Sequence, residues 1–157
     1  MRPRTLTWAV GALLWAFGCS YHLGRAPASG GSWIPGEVRV ASAEPSLESA
    51  LRQALAEQLQ LRAGAAEPTE PLHLDLIAFT ARPVAQGGDM QEVRMTLRLS
   101  DARGHAVDVA GAEPYGRYPD PLRTEQARAA AVSALAGRLV ASGVAQLAHL
   151  EPDDVPR

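Results

Sequence analysis

Between positions 93 and 100, Val93, Met95, Leu97 and Leu99 alternate with Arg94, Thr96, Arg98 and Ser100. A period of two sends alternate side chains to opposite faces, so this stretch buries its apolar set as a strand in a sheet with one dry and one wet side. The dry side needs a cover, and two helical patterns supply it. From Ser46, an expected N-cap, Leu47, Leu51, Leu55 and Leu59 recur every four residues toward Arg62, until Gly64 and the prolines at 68 and 71 end the pattern. Near the other end of the chain, Val132, Leu135, Leu139, Val144 and Leu147 form a second apolar stripe. Ala136, Gly137 and Gly143 beside that stripe are small enough for close packing on a sheet. Its helix is expected to start at Asp120 with Pro121, or at Thr124 with Glu125.

The remaining strands read less sharply. Residues 37–41 alternate as a short first strand. Leu72, Leu74, Leu76 and Ala78 are expected on one face of another, with His73, Asp75, Ile77 and Phe79 on its reverse. A loose connection over residues 81–89 leads to the strand at 93, and Asp101 and Gly104 then suit a tight hairpin into a strand containing Val107 and Val109. Residues 113–121 read as a turn-rich bridge to the last helix. The order is strand, helix, strand, strand, strand, helix. It predicts an α+β two-layer sandwich, a mostly antiparallel four-stranded sheet with two helices on one face.

The chain has one cysteine, Cys19, and so no internal disulfide. Ahead of it lie Arg2, Arg4, an apolar run over residues 6–17 and Gly18, the outline of a secretory signal peptide and too short for a spanning helix. Gly18-Cys19 resembles the lipobox of bacterial lipoproteins, whose cysteine is acylated and becomes the first mature residue. The alternative is an ordinary signal peptide with an incidental cysteine. The expected organisation is a signal peptide over 1–18, a lipidated tether rich in Gly, Pro and Ser over 19–36, one α+β domain over 37–150, and a loose tail over 151–157. Removing residues 1–18 from 157 leaves 139, enough to bury a core. The bases are all Arg, and without Arg2 and Arg4 there are 13 against 17 acids, a net charge near −4 that argues against nucleic acid as a partner.

No catalytic constellation is visible. His22, His73, His105 and His149 are scattered without metal-ligand spacing, and the chain has no G-x-S-x-G elbow, H-E-x-x-H helix or phosphate-cradling loop. His73 and Asp75 share a strand face within hydrogen-bonding reach but have no nucleophile beside them. The expectation is therefore a non-enzyme without cofactor or metal. Two polar sets remain. Arg94 and Arg98 on one strand face, with Arg103 in the next hairpin, can bind phosphates bidentately, or can pair with Glu92, Asp101 and Asp108 as the ordinary wet face of a strand. Tyr115 and Tyr118 can form a partner interface, or cover the end of the second helix.

The run Cys19-Ser20-Tyr21-His22-Leu23, followed by this order of elements, resembles the LPS-assembly lipoprotein family LptE, whose members open with a lipidated C-x-Y/F-H-L signature. Glu113 and Tyr115 before the last helix are similar to that family's pattern, while the segment between tether and first helix is shorter here. The resemblance implies a lipid attached at Cys19, and residence at the periplasmic face of the outer membrane, for which Ser20 is permissive. It also implies a place in the lumen of an LptD-like β-barrel and assistance to lipopolysaccharide insertion. Arg94, Arg98 and Arg103 are then candidate contacts to lipopolysaccharide phosphates. The alternative from another class is a periplasmic auxiliary lipoprotein of an ABC-type lipid transport system.

Overall fold

The structure is a computed structural model that describes residues 33–40, 44–62, 70–84 and 89–150. It contains β1 (Trp33–Val40), α1 (Pro45–Arg62), β2 (Glu70–Pro83), β3 (Met90–Ser100), β4 (Ala106–Gly116) and α2 (Pro121–Leu150). The strands lie in the order β1-β2-β3-β4, with β1 and β2 parallel and the other two pairs antiparallel. Parallel neighbours require a crossover, and α1 is that crossover. The α+β sandwich is therefore as expected, built on a mixed sheet that is mostly antiparallel.

One core joins the layers. Leu47, Leu51, Leu55 and Leu59 of α1, Leu72, Leu74 and Leu76 of β2, and Val93, Met95, Leu97 and Leu99 of β3 are all buried. From α2, Val132, Leu135, Leu139, Val144 and Leu147 complete it. Among the described residues α2 alone is long and apolar enough to cross a membrane, and half of its apolar window is buried on the sheet and α1. Gly143 sets the closest approach: a Cβ there would fall 2.6 Å from Leu99 Cδ1. Gly137 faces open space and takes no part in that packing.

Several boundaries differ from the sequence expectation, each for a local reason. β1 starts at Trp33, inside the expected tether, because the Trp33 ring is needed in the core. Gly36 lies at a bulge where its neighbour strand comes so near that a Cβ would sit 2.7 Å from the Leu72 carbonyl oxygen. α1 begins with Pro45 at its first helical position, ahead of Ser46, and Glu44 O accepts from Leu47 N–H. β4 runs through Gly116, absorbing part of the expected bridge; as an edge strand it tolerates Pro114.

The main error in face assignment lies in β2. Its register on β3 slips between Leu76 and Ala78, so Ile77 is an extra residue and everything beyond it changes side. Phe79, expected on the wet face, packs against the core opposite Met95, and Ala78, expected inside, pairs with Thr96 on the wet face.

Candidate functional site

Both helices lie on one side of the sheet, which leaves the other side open. Arg94 and Arg98 project from this face because Val93, Met95, Leu97 and Leu99 take the buried one. Across the sheet the residues fall into rows. Arg39, Asp75, Arg98 and Asp108 occupy successive partner positions on β1, β2, β3 and β4, giving a fully alternating row of charge. Arg98 grips Asp108 with two bonds, Nε to Oδ1 at 2.7 Å and Nη2 to Oδ2 at 2.8 Å. Those bonds hold the Asp108 carboxyl below the ordinary aspartate range, and they raise the Arg98 guanidinium, with Asp75 adding to the effect.

Nearer the other end of the face, Glu92 Oε1 accepts from Arg94 Nε at 2.7 Å and from Arg82 Nε at 2.8 Å. The two bonds, that to Arg94 first, pull the Glu92 carboxyl below its ordinary value. Between the charged rows lies a band of small residues, Ala78, Thr96 and Ala110, with Ile77 52% exposed beside it. Arg103 belongs to a different place. Its guanidinium reaches Glu70 at the start of β2, with Nη2 3.0 Å from Oε1. The three arginines therefore share no common site. Glu92 and Asp108 are the partners the sequence suggested, whereas Asp101 serves Arg103 only through the backbone.

Asp101 organises the hairpin. Buried to 6% exposure, it accepts from the amides of Arg103 and His105 at Oδ1 and lies 2.9 Å from His105 Nδ1 through Oδ2. Gly104 completes the turn with φ of 88°, a value that glycine adopts without strain. His73 turns its Nδ1 to the amide of Glu37, from which it accepts at 3.3 Å, a bond that fastens β1 at its bulge.

The tyrosines separate. Tyr115 is a core residue, 6% exposed, and donates from its hydroxyl to Gln91 Oε1 at 2.6 Å; it offers no free surface to a partner. Tyr118 is half-buried at the start of α2, where its amide donates to Thr124 Oγ1 and Arg123 stacks 4.3 Å above its ring. Asp120 Oδ1 caps that helix by accepting from Leu122 N–H at 2.9 Å. Arg128 ties the two helices together through Glu44, with both carboxylate oxygens 2.8 Å from Nη2. A cleft between these helix ends, lined by Leu47, Ala50, Arg128 and Val132 among others, holds about 80 Å³, well below the several hundred a small-molecule site occupies.

Among the described residues no group of three or more His, Cys, Asp and Glu is placed to hold a metal ion. Cys19, with the rest of its motif, lies outside the described residues. The sequence placed Asp75 on the reverse of its strand but missed its row with Arg39 and Arg98, and missed Arg82, because cross-strand register and not local pattern brings them together.

No protein-family model matches the chain, and no curated protein matches it. The fold does have solved counterparts. A protein of Caulobacter crescentus described as a lipoprotein superposes with a TM-score of 0.55 at 18% identity, over 78% of this chain and 90% of the other. The rare lipoprotein B of Shewanella oneidensis superposes with a TM-score of 0.51 at 12% identity, over 74% and 96% of the respective chains. At such identities the likeness is one of fold.

Proposed function

We propose that this chain is a membrane-anchored lipoprotein, acylated at Cys19, that works in lipopolysaccharide assembly at the periplasmic face of the outer membrane as a plug of an LptD-like β-barrel. The Cys19-Ser20-Tyr21-His22-Leu23 motif behind an apolar leader carries the proposal. Two acyl chains would make the attachment stable, at about 0.8 kcal/mol for each buried methylene. The sandwich that follows has the architecture of the rare lipoprotein B and the Caulobacter lipoprotein, which supports the same class. Its open face is ion-paired and polar, suited to the wet interior of a large barrel. The role asks for binding and positioning and requires no catalytic group.

The test is a pull-down of the tagged full chain from gently solubilised membranes, with mass spectrometry of partners and of the protein's own N-terminal peptide. A large outer-membrane barrel in about equal amount, an acylated Cys19, and loss of both anchoring and barrel in Cys19→Ala are the expected results. Recovery of an inner-membrane lipid transporter instead of a barrel would move the chain to the auxiliary-lipoprotein class.

Arg94 and Arg98 remain candidate phosphate contacts within this reading, since their side chains are 52% and 48% exposed. Arg103, 53% exposed at the hairpin, is the third. Each already serves a carboxylate, so phosphate has to compete for its donors. Joint replacement of the three by Gln is expected to weaken lipopolysaccharide retention several-fold while the barrel is retained. Unchanged retention removes them from the lipid-binding set.

A further inference from the structure

Two rows of the open face carry a symmetry in their charges; Arg94, on a row of its own with Thr80 and Ala112, has no opposite there and is held by Glu92 of its own chain. Counted across the strands, the row Arg39, Asp75, Arg98, Asp108 runs plus, minus, plus, minus, so it changes sign when reflected about the line between β2 and β3. The row of Arg82 and Glu92, again on β2 and β3, changes sign about the same line. A two-fold axis parallel to the strands, directly above that line and about 5 Å outside the open face, would place a second copy face to face with the first. Every charge in these rows would then meet its opposite: Arg39 facing Asp108, Asp75 facing Arg98, and Arg82 facing Glu92.

We infer that the open sheet face is an isologous docking surface for a second copy of this chain. Self-complementarity is what a two-fold interface demands of a single patch. A barrel wall, by contrast, would place no such condition on the order of charges. The band between the charged rows fits the same reading. Ala78, Thr96 and Ala110 let two sheets approach to the roughly 10 Å of aligned packing, and exposed Ile77 adds apolar area. A small apolar centre with a charged margin is the ordinary anatomy of an interface. From strand spacing and rise, the face measures roughly 20 by 35 Å, or about 700 Å² per partner, close to the area that stable pairs bury on each side. This inference does not rest on the proposed barrel role; it uses the same face, so a second copy and the barrel or lipopolysaccharide would occupy that face in turn and not together.

The test uses two differently tagged full-length chains in mild detergent. In one, the long row is inverted by Arg39→Asp, Asp75→Arg, Arg98→Asp and Asp108→Arg, which preserves alternation within the chain. Natural chains should co-purify with natural chains and inverted with inverted, since each row remains complementary to itself. Mixed pairs, in which all four facing charges are alike, should fall by roughly tenfold or more. Mixed pairs as abundant as like pairs would overturn the inference, because association through the N-terminal segment is blind to this row. Failure of natural chains to associate with each other would overturn it too. Should the inverted chain not fold, Thr96→Arg puts a bulky charge at the centre of the face, and retention of the dimer mass in that variant by sedimentation has the same force. A failed barrel pull-down leaves these outcomes untouched.

Discussion

Replacement of Leu99 by Ala is expected to lower stability by about 3 kcal/mol, and addition of Gly143→Ala to return part of that loss. Leu99 is fully buried, and large-to-small changes at such sites cost about 2–5 kcal/mol because lost transfer energy is joined by an unfilled cavity. In the natural chain, Gly143→Ala gains about 1 kcal/mol of helix propensity, but its methyl would lie 2.6 Å from Leu99 Cδ1. Leu99 has no exit from the core, so overpacking of about 1–3 kcal/mol dominates. With Leu99 truncated, the clash disappears and the added methyl occupies vacated space. Urea unfolding of the four chains in this cycle should give a coupling of about 1 kcal/mol or more. Additive effects would show that α2 shifts freely over β3 and that Gly143 does not set their spacing.

The hairpin acid gives the second large effect. Burial alone would raise the Asp101 carboxyl, but hydrogen bonds from the His105 ring and amide and from the Arg103 amide outweigh it and bring it below the ordinary aspartate value. A depressed folded-state pKa means that the unfolded chain binds the proton more readily. The stabilisation from Asp101 is thus complete above about pH 4, the ordinary range of an unfolded aspartate, and disappears as pH falls through the lowered folded-state value. Asp101→Ala strands two backbone donors and the His105 ring, at an expected cost of about 3 kcal/mol at neutral pH. Asp101→Asn should lose less and show a shallower fall in stability on the acid side. A natural chain whose stability is flat from pH 5 to pH 2, or an Ala variant as stable as the natural one, would refute this account.

How far the sequence reaches depends on the range of the interaction. The alternation over residues 93–100 and the leucines of α1 are local patterns, and both elements formed where they were read. Phe79 was assigned to the wrong face because a bulge at Ile77 exists only in relation to β3, and nothing within β2 marks it. The parallel pairing of β1 with β2 was equally hidden, since strand direction is set by the crossover and not by residues 33–40. In the candidate site, Arg94 and Arg98 were legible as members of a wet strand face. Their partners were half legible: Glu92 and Asp108 lie close in sequence, while Arg82, Asp75 and Arg39 enter through register. Tyr115 was read as a surface candidate because residues 113–121 looked like a turn, and the continuation of β4 puts its ring in the core instead.

The parallel crossover also gives the domain a top and a bottom. β1 begins beside the start of β2, and the Asp101 hairpin stands at that same end, because His73 of β2 pairs with Ser100 of β3. The Arg128–Glu44 tie and Tyr118 stand at the opposite end, where β1, β2 and β4 finish and both helices start. Under the proposed acylation at Cys19, chain entry at Trp33 makes the hairpin end the one nearer the anchor, with the helix starts a strand length, about 35 Å, away from it. Spin labels at His105 and Arg123 would then report two depths, and the difference between them would measure how upright the domain stands on its anchor.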